Sequence, residues 1–436
     1  NAMKNLLVLV VCILILVSSC KKKETAMDLK SPIQKTYFND TLKLLEAERY
    51  DKILGALVGS AIGDAMGAST EMWHRSDIQL KYGYINGLTA AVRNQSPEGT
   101  WGNNLMAGAT TDDTRWKYLM IKYFSAYKSE LNASNFADFI SEYYAQLVKN
   151  MSTNQTQNNP DVLDDEIEQI DWIKEWARVS IAYQKGFIEY QKAQNRFYGG
   201  EMSCAGQLYT PMFGLVANTP EVAYHLAYDH TLFDLGYAKD ISALVAAMTH
   251  VAMRTQNIDS IINTTAFVDP NHYQNSRLIG RIAYSTSDAA VKNILELKQS
   301  FSRGDLVVID SLIPKMPKHY GGTKDEWVFQ EIIYQSLEAD EKAIAFHTGE
   351  IWQILITAMQ FGEGDFLKTI QFIINYGRDN DTVAAIAGMI LGAKTGYSKL
   401  PKDLKEEVVK VSKVYMGINL ELLAKEIIDI NFTDVK

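Results

Sequence analysis

The sequence predicts an all-α fold in a single domain, and three observations carry the prediction. From about Thr41 onward apolar residues recur at helical spacing, beginning with Leu42, Leu44, Leu45, Tyr50, Ile53 and Leu54. Convincing alternating strands are scarce, and the nine prolines fall mostly at boundaries of the helical runs, as at Pro211, Pro220 and Pro401. Small residues recur every fourth position in two stretches, Gly55, Gly59, Gly63 and Gly67, then Ala384, Gly388, Gly392 and Gly396. That spacing lines up along one face of a helix.

Taken along the chain, the clear amphipathic runs are Asp112–Tyr127, Phe136–Val148, Asp165–Lys192, Ala238–Met253, Glu326–Ala339, Ala343–Met359, Phe366–Tyr376, Thr382–Ala393 and Asp403–Tyr415. Asn150–Asn159 reads as a low-complexity polar loop. Gly199-Gly200 and Tyr320-Gly321-Gly322-Thr323 read as turns. No repeat of fixed period is present. Each glycine inside a helix costs about 1 kcal/mol relative to alanine, so the two stripes need a compensation that close approach of a neighbouring helix supplies. If the two stripes pack on each other in antiparallel sense, Glu71 lies near Asp379 and Asp381. A membrane-spanning glycine pair is excluded, because Asp64 interrupts the first run and the second is too short after Arg378-Asp379-Asn380-Asp381.

The N-terminus is read separately. Asn1-Ala2 ahead of Met3 resembles a tag remnant, Lys4 is a short positive region, and Leu6–Val17 is apolar but too short for a good membrane span. Val17-Ser18-Ser19-Cys20 resembles a bacterial lipobox. The expectation is a signal peptide over 1–19, a lipid-bearing Cys20 with a polar tether over 20–40, and one domain over 41–436. That places the protein outside the cytoplasm, anchored to a bacterial membrane. The other reading is an ordinary secretory signal with a chance cysteine. Of Cys12, Cys20 and Cys204, only Cys204 is left inside the domain. No intrachain disulfide is expected, and Cys204 reads as a small buried residue.

Apolar content of 47% and charged content of 22% are those of a globular protein with a sizeable core. A net charge of −9 with no long basic run in the body argues against nucleic-acid binding.

Two acidic clusters carry the chemistry. Thr110-Thr111-Asp112-Asp113-Thr114 and Asp379-Asn380-Asp381-Thr382 each open a helical run. Such residues are favoured helix caps, and first-turn acids suit the helix dipole. Together they also offer four carboxylates and several hydroxyls, the oxygen donors that Mg²⁺ and Mn²⁺ prefer. Both readings stand at this point.

Three motifs, in order, resemble the ADP-ribosylglycohydrolases of the dinitrogenase reductase-activating glycohydrolase type. They are Gly55–Glu71 with Gly63-Asp64-Ala65-Met66-Gly67, Thr111-Asp112-Asp113-Thr114, and Gly377–Ala393 with Asp379-Asn380-Asp381-Thr382. Glu350-Ile-Trp-Gln-Ile-Leu resembles the helix leading into the third. The resemblance implies a compact orthogonal multi-helix bundle with two Mg²⁺ or Mn²⁺ ions. It implies metal ligation by Thr111, Asp112, Asp113, Asp379, Asp381 and Thr382, with Asp112 and Asp113 also serving catalysis. Glu71 would activate water or position substrate, and Asp64 would orient the ligands. The implied reaction is hydrolysis of the N- or O-glycosidic bond at C1″ of an ADP-ribosyl group on a small molecule or modified protein. The chain departs from the family pattern at Ser69, Arg378 and Asn380. It is also longer than the family core between Gly67 and Thr111, from about Asn150 to Gly200, and from Asn257 to Ala343. The family's phosphate loop is echoed by Tyr198-Gly199-Gly200-Glu201-Met202-Ser203, so Gly199, Gly200 and Arg378 are the candidate substrate contacts. Arg378 either meets a phosphate or lies in solvent.

His230 and His250 read as satisfied core residues rather than ligands. Trp101, Phe197, Tyr198 and Tyr320 are weak candidates for stacking on adenine and otherwise core. No nucleophile elbow, P-loop or dinucleotide fingerprint occurs. Two other classes of function stay open: a catalytically silent binding protein on the same fold, and a dimetal hydrolase of another ribosyl or nucleoside substrate.

Overall fold

The computed structural model describes residues 44–93, 102, 104–128, 130–153, 160–305 and 313–430. The signal-like segment, Cys20 and Trp101 lie outside the described residues.

Helices dominate, as expected. They are α1 (Glu46–Gly67), α2 (Arg75–Tyr82), α3 (Asp112–Tyr127), α4 (Ala133–Thr153), α5 (Pro160–Gln184), α6 (Phe187–Phe197), the single turn α7 (Phe213–Val216), α8 (Pro220–Asp229) and α9 (Ala238–Ala252). They continue with α10 (Ile258–Phe267), α11 (Ile282–Arg303), α12 (Lys324–Glu338), α13 (Thr348–Phe361), α14 (Phe366–Tyr376), α15 (Asn380–Thr395), α16 (Lys402–Val414) and α17 (Leu420–Asp429). Among the described residues the one sheet is a pair of two-residue antiparallel strands, β1 (Trp73–His74) and β2 (Gly377–Arg378).

Most of the runs read from periodicity are present within a few residues, and Asp112–Tyr127 and Phe366–Tyr376 match at both ends. The differences have local causes. Asp165–Lys192 is two helices, because Gly186 adopts φ +112° between α5 and α6. The polar stretch expected as a loop from Asn150 is helical through Thr153. Thr219-Pro220 starts a helix rather than merely ending one. The Thr219 hydroxyl accepts from the Val222 amide, and proline suits the first helical position. The long insertion after Asn257 folds into α10, α11 and α12. The buried face of α11 is Ala283, Ser287, Ala290, Val291 and Ile294, too small and polar to announce a helical period. A buried ion pair ties this insertion to the body. Arg281 donates from Nη2 to Asp240 Oδ1 at 2.6 Å and from Nη1 to the Thr265 and Val268 carbonyls, and Tyr224 Oη donates to the same carboxylate.

The centre of the molecule is the antiparallel pair α1 and α15, both buried along most of their length. Their small-residue stripes face each other. A Cβ on Gly55 would lie 2.5 Å from the Gly392 carbonyl oxygen, and one on Gly59 or Gly63 would collide with the carbonyl oxygen of Gly388 or Ala384. Gly396 differs from the stripe reading: it terminates α15 at φ +85° rather than continuing it. Both ends of the pair are stitched. At one end the buried Lys52 ammonium donates to the Ala393 and Lys394 carbonyls, satisfying the last turn of α15. At the other end Asn380 of α15 donates to the Thr70 hydroxyl in the turn that follows α1.

One further buried carboxylate sets a pH dependence. Asp234 accepts from the Gly206 amide at 2.7 Å and the Ser242 hydroxyl at 2.6 Å, and so fixes the turn that follows Cys204. Burial nevertheless pushes its carboxyl up to about 6. A carboxyl raised on folding takes up a proton between the unfolded and folded values, so its penalty develops from about pH 4 to pH 6 and is complete above that window. Asp234→Asn keeps one acceptor and one donor for the same partners. Urea unfolding from pH 4 to 7 is expected to show the variant gaining on the wild type across that window, by on the order of 2–3 kcal/mol. A pH-independent difference would refute this.

Candidate metal centre

The two acidic clusters meet where α3 and α15 begin, beside the end of α1. Thr111 is the N-cap residue of α3 and Asp379 that of α15, yet neither side chain caps its own helix. For α3 the capping is done from outside. Asp64 of α1 accepts the Thr111 amide at 2.8 Å through Oδ1 and the Thr114 amide at 3.0 Å through Oδ2. The same oxygens take the Thr111 and Thr114 hydroxyls at 3.0 and 2.6 Å. The Thr111 hydroxyl, with its one proton shared between the two carboxylates, also lies 3.3 Å from Asp381 Oδ2. The side chains of the cluster heads are therefore turned toward one another rather than spent on local caps.

Asp113 and Thr382 join the clusters directly, with the Thr382 hydroxyl 3.1 Å from Asp113 Oδ2. Glu71 lies in the turn that follows α1 and pairs with Arg93 Nη1 at 3.3 Å. Asp64, Glu71, Asp113, Asp379 and Asp381 are all at most 3% exposed. Asp112 is half-buried in the first turn of α3.

Several carboxylates in so small a volume raise one another. Burial, and then Asp113, push Asp64 and Asp379 up to about 6. Burial followed by Glu71, Asp379, Asp113 and Asp64 pushes Asp381 well above the usual carboxylate range. The cationic partners recorded for these acids are Arg93 on Glu71 and Lys117 on Asp113. Asp381 Oδ1 is buried and has no hydrogen-bond donor, a state that costs free energy unless a cation or proton satisfies it. An oxygen-only set with surplus negative charge suits a hard divalent cation. Among the described residues, however, no three acidic, histidine or cysteine side chains converge on one point in a ligating arrangement.

The remaining sequence candidates fall elsewhere. Gly199 and Gly200 are exposed at φ +64° and +81°, at the head of the loop whose far end, Cys204, touches the site. Cys204 is buried, as expected, and its Sγ lies 3.6 Å from Asp379 Oδ2. Arg378 is partly buried and paired rather than solvated. Its Nε and Nη2 donate to Glu350 at 2.6 and 3.0 Å, and Nη2 also donates to the Lys342 carbonyl. It occupies φ +64° in β2, where its carbonyl accepts the Met72 amide. Arg378→Met leaves Glu350, 3% exposed, without its cation. A loss of about 1–3 kcal/mol in thermal unfolding is expected, below the cost of breaking a fully buried pair. An unchanged melting midpoint would sink this structural role.

His230 and His250 are core residues, as read: His230 bonds Tyr123 Oη and the Leu226 carbonyl, and burial lowers both imidazoles. Phe197 packs on Trp176 and Phe233, and Tyr320 on Tyr84 and Trp327. Three residues of the site were not anticipated. Lys117 had a legible signal, one helical turn after Asp113. Arg93 lies in an irregular segment with no periodicity to read. Asn380 staples the turn after α1 to α15 by donating to Thr70 Oγ1 at 2.9 Å and the Ile374 carbonyl at 3.0 Å.

The family model described as ADP-ribosylglycohydrolase matches residues 45–431. A solved structure titled ADP-ribosylglycohydrolase-related protein complex superimposes with a TM-score of 0.51 at 15% identity, over 89% of this chain and all of that one. At that identity the likeness concerns the fold alone. The uncharacterized protein YegU of Escherichia coli (strain K12) is 50% identical over 36 residues, which cover 8% of this chain and 11% of that relative's length.

Proposed function

The chain belongs to the ADP-ribosylglycohydrolase family, and from that premise we propose that it hydrolyses the glycosidic bond between an ADP-ribosyl or related ribosyl group and its carrier, at a divalent-metal centre. The observation that carries the reading is the meeting of Thr111, Asp113, Asp381 and Thr382 through their side chains at the paired starts of α3 and α15. Thr111, Asp112, Asp113, Asp379, Asp381 and Thr382 would hold Mg²⁺ or Mn²⁺. Bound metal would supply Lewis acidity toward water and the ribose hydroxyls.

The chain's own residues supply the rest. Asp64 sets the position of Thr111 and Thr114, as ligand-orienting groups do in metal sites. Glu71, paired with Arg93, is the group to take a proton from water as oxygen adds to the anomeric carbon. The proton then goes to the departing atom of the carrier. Negative charge around the site favours an oxocarbenium-like transition state. A lipid anchor at Cys20 would place this reaction on ADP-ribosyl compounds or modified proteins outside the cytoplasm.

The test is release of free ADP-ribose from arginine-linked and serine-linked ADP-ribosyl peptides and from O-acetyl-ADP-ribose, each with Mg²⁺ and with chelator. Metal-dependent release from at least one is expected. Absence of release from all three, with metal bound, would turn the reading to another ribosyl substrate or to a binding role.

A further inference from the structure

Lys117 places an ammonium inside the carboxylate cluster. It lies four residues after Asp113 on α3, so the two side chains share a helix face. Both are buried, at 2% and 1% exposure, although lysine is almost never fully buried unless paired. Nζ is 3.0 Å from Asp113 Oδ1, while Oδ2 of the same carboxylate takes the Thr382 hydroxyl. Each oxygen of Asp113 therefore already has a donor from the protein. Asp381 Oδ1, at the other side of the cluster, has none.

We propose that Lys117 Nζ stands in for one cation of a dinuclear centre, so that this protein takes one divalent ion, drawn to the Asp381 and Asp379 side, rather than two. The proposal rests on the metal-dependent reading given above. An ammonium is a compact point charge with three donors and no acceptor. Beside Asp113 it neutralises the carboxylate and occupies one of the lone pairs of Oδ1, so that Asp113 serves one ion through Oδ2 and does not bridge to a second. It offers no open position for water or a ribose hydroxyl, so the single ion must serve both.

The experiment counts ions on the full chain. Mn²⁺ is titrated calorimetrically and then measured by electron paramagnetic resonance, for the wild type and for Lys117→Met. The wild type is expected to bind one Mn²⁺ with an isolated six-line spectrum. Lys117→Met is expected to bind two, with the broadened multiline spectrum of a coupled pair. Two ions on the wild type overturn the proposal, and so does a variant that still binds one. Lys117→Gln, which keeps polarity and length without charge, is the second variant should the methionine form not fold, and the wild-type count decides against the proposal by itself if it is two. No Mn²⁺ on either protein is a different result: it defeats the metal-dependent reading rather than the count.

Discussion

Asp381→Asn is expected to abolish metal binding and to cut hydrolysis by about 10³-fold or more, the equivalent of the several kcal/mol a Lewis-acidic ion contributes. The fold is expected to survive. Asparagine matches the carboxyl in volume, and Asp381 is buried with an Oδ1 that has no donor. Burial and then the surrounding acids Glu71, Asp379, Asp113 and Asp64 hold its carboxyl well above the usual range. In the metal-free protein its ionised form is therefore disfavoured relative to the unfolded chain. The sign follows: a raised folded-state value makes the group a burden on stability above the unfolded value, and removing it relieves the burden. The metal-free melting midpoint of Asp381→Asn should equal or exceed that of the wild type. The rise in midpoint that Mg²⁺ or Mn²⁺ gives the wild type should disappear. Thermal melts with and without metal, beside the release assay, check both halves. A variant that keeps its metal-induced shift would show that the ion does not bind at Asp381.

Much of this arrangement was legible in the sequence, and the reason is physical. A four-residue glycine stripe has few explanations besides helix contact, so Gly55–Gly67 and Ala384–Gly392 pointed to close helix packing; the antiparallel sense, which the stripes left open, comes from the structure and brings Glu71 toward Asp381. The acidic clusters were ambiguous because residues that cap helices are also oxygen ligands. At Thr111 and Asp379 the structure removes the capping reading, since both sit at N-cap positions without a side-chain cap. The outside cap was not legible locally, and the orienting role of Asp64 came through the family resemblance alone. Asp64 is 47 residues from Thr111, and nothing local couples them. The pairing of Arg378 was hidden for a similar reason: its partner Glu350 lies 28 residues earlier on α13, and charge alone does not reveal whether an arginine is already paired. Of the helices after Asn257, α12 was read as Glu326–Ala339, while α10 and α11 escaped; the buried face of α11 is made of small and polar side chains.

Gly63→Ala tests whether the helix pair and the metal centre are one mechanical unit. On an isolated helix the change would stabilise by about 1 kcal/mol. Here the new methyl group meets the Ala384 carbonyl and its carbon, with the Ala385 nitrogen at 2.8 Å. These are backbone atoms, which cannot swing aside as the end of a flexible side chain can. The helices must separate, and overpacking of this kind costs typically 1–3 kcal/mol and occasionally more. A net loss of roughly 2 kcal/mol is expected, read as a fall of several degrees in the melting midpoint. The change also has a direction. Asp64 is the next residue on α1, and Asp381 and Thr382 stand just before Ala384 on α15, so separation pulls Asp64 from Thr111 and Thr114 and weakens metal binding. Gly55→Ala, at the opposite end of the pair and facing Gly392 and Tyr397, should lower the midpoint comparably with far less effect on the ion. Gly87→Ala meets nothing nearer than Leu404 Cδ2 at 3.9 Å and should do neither. If Gly63→Ala is as stable as the wild type, the close contact is not what holds α1 to α15. If Gly55→Ala weakens the ion as much as Gly63→Ala does, the metal centre senses global stability rather than the local spacing of the two helices.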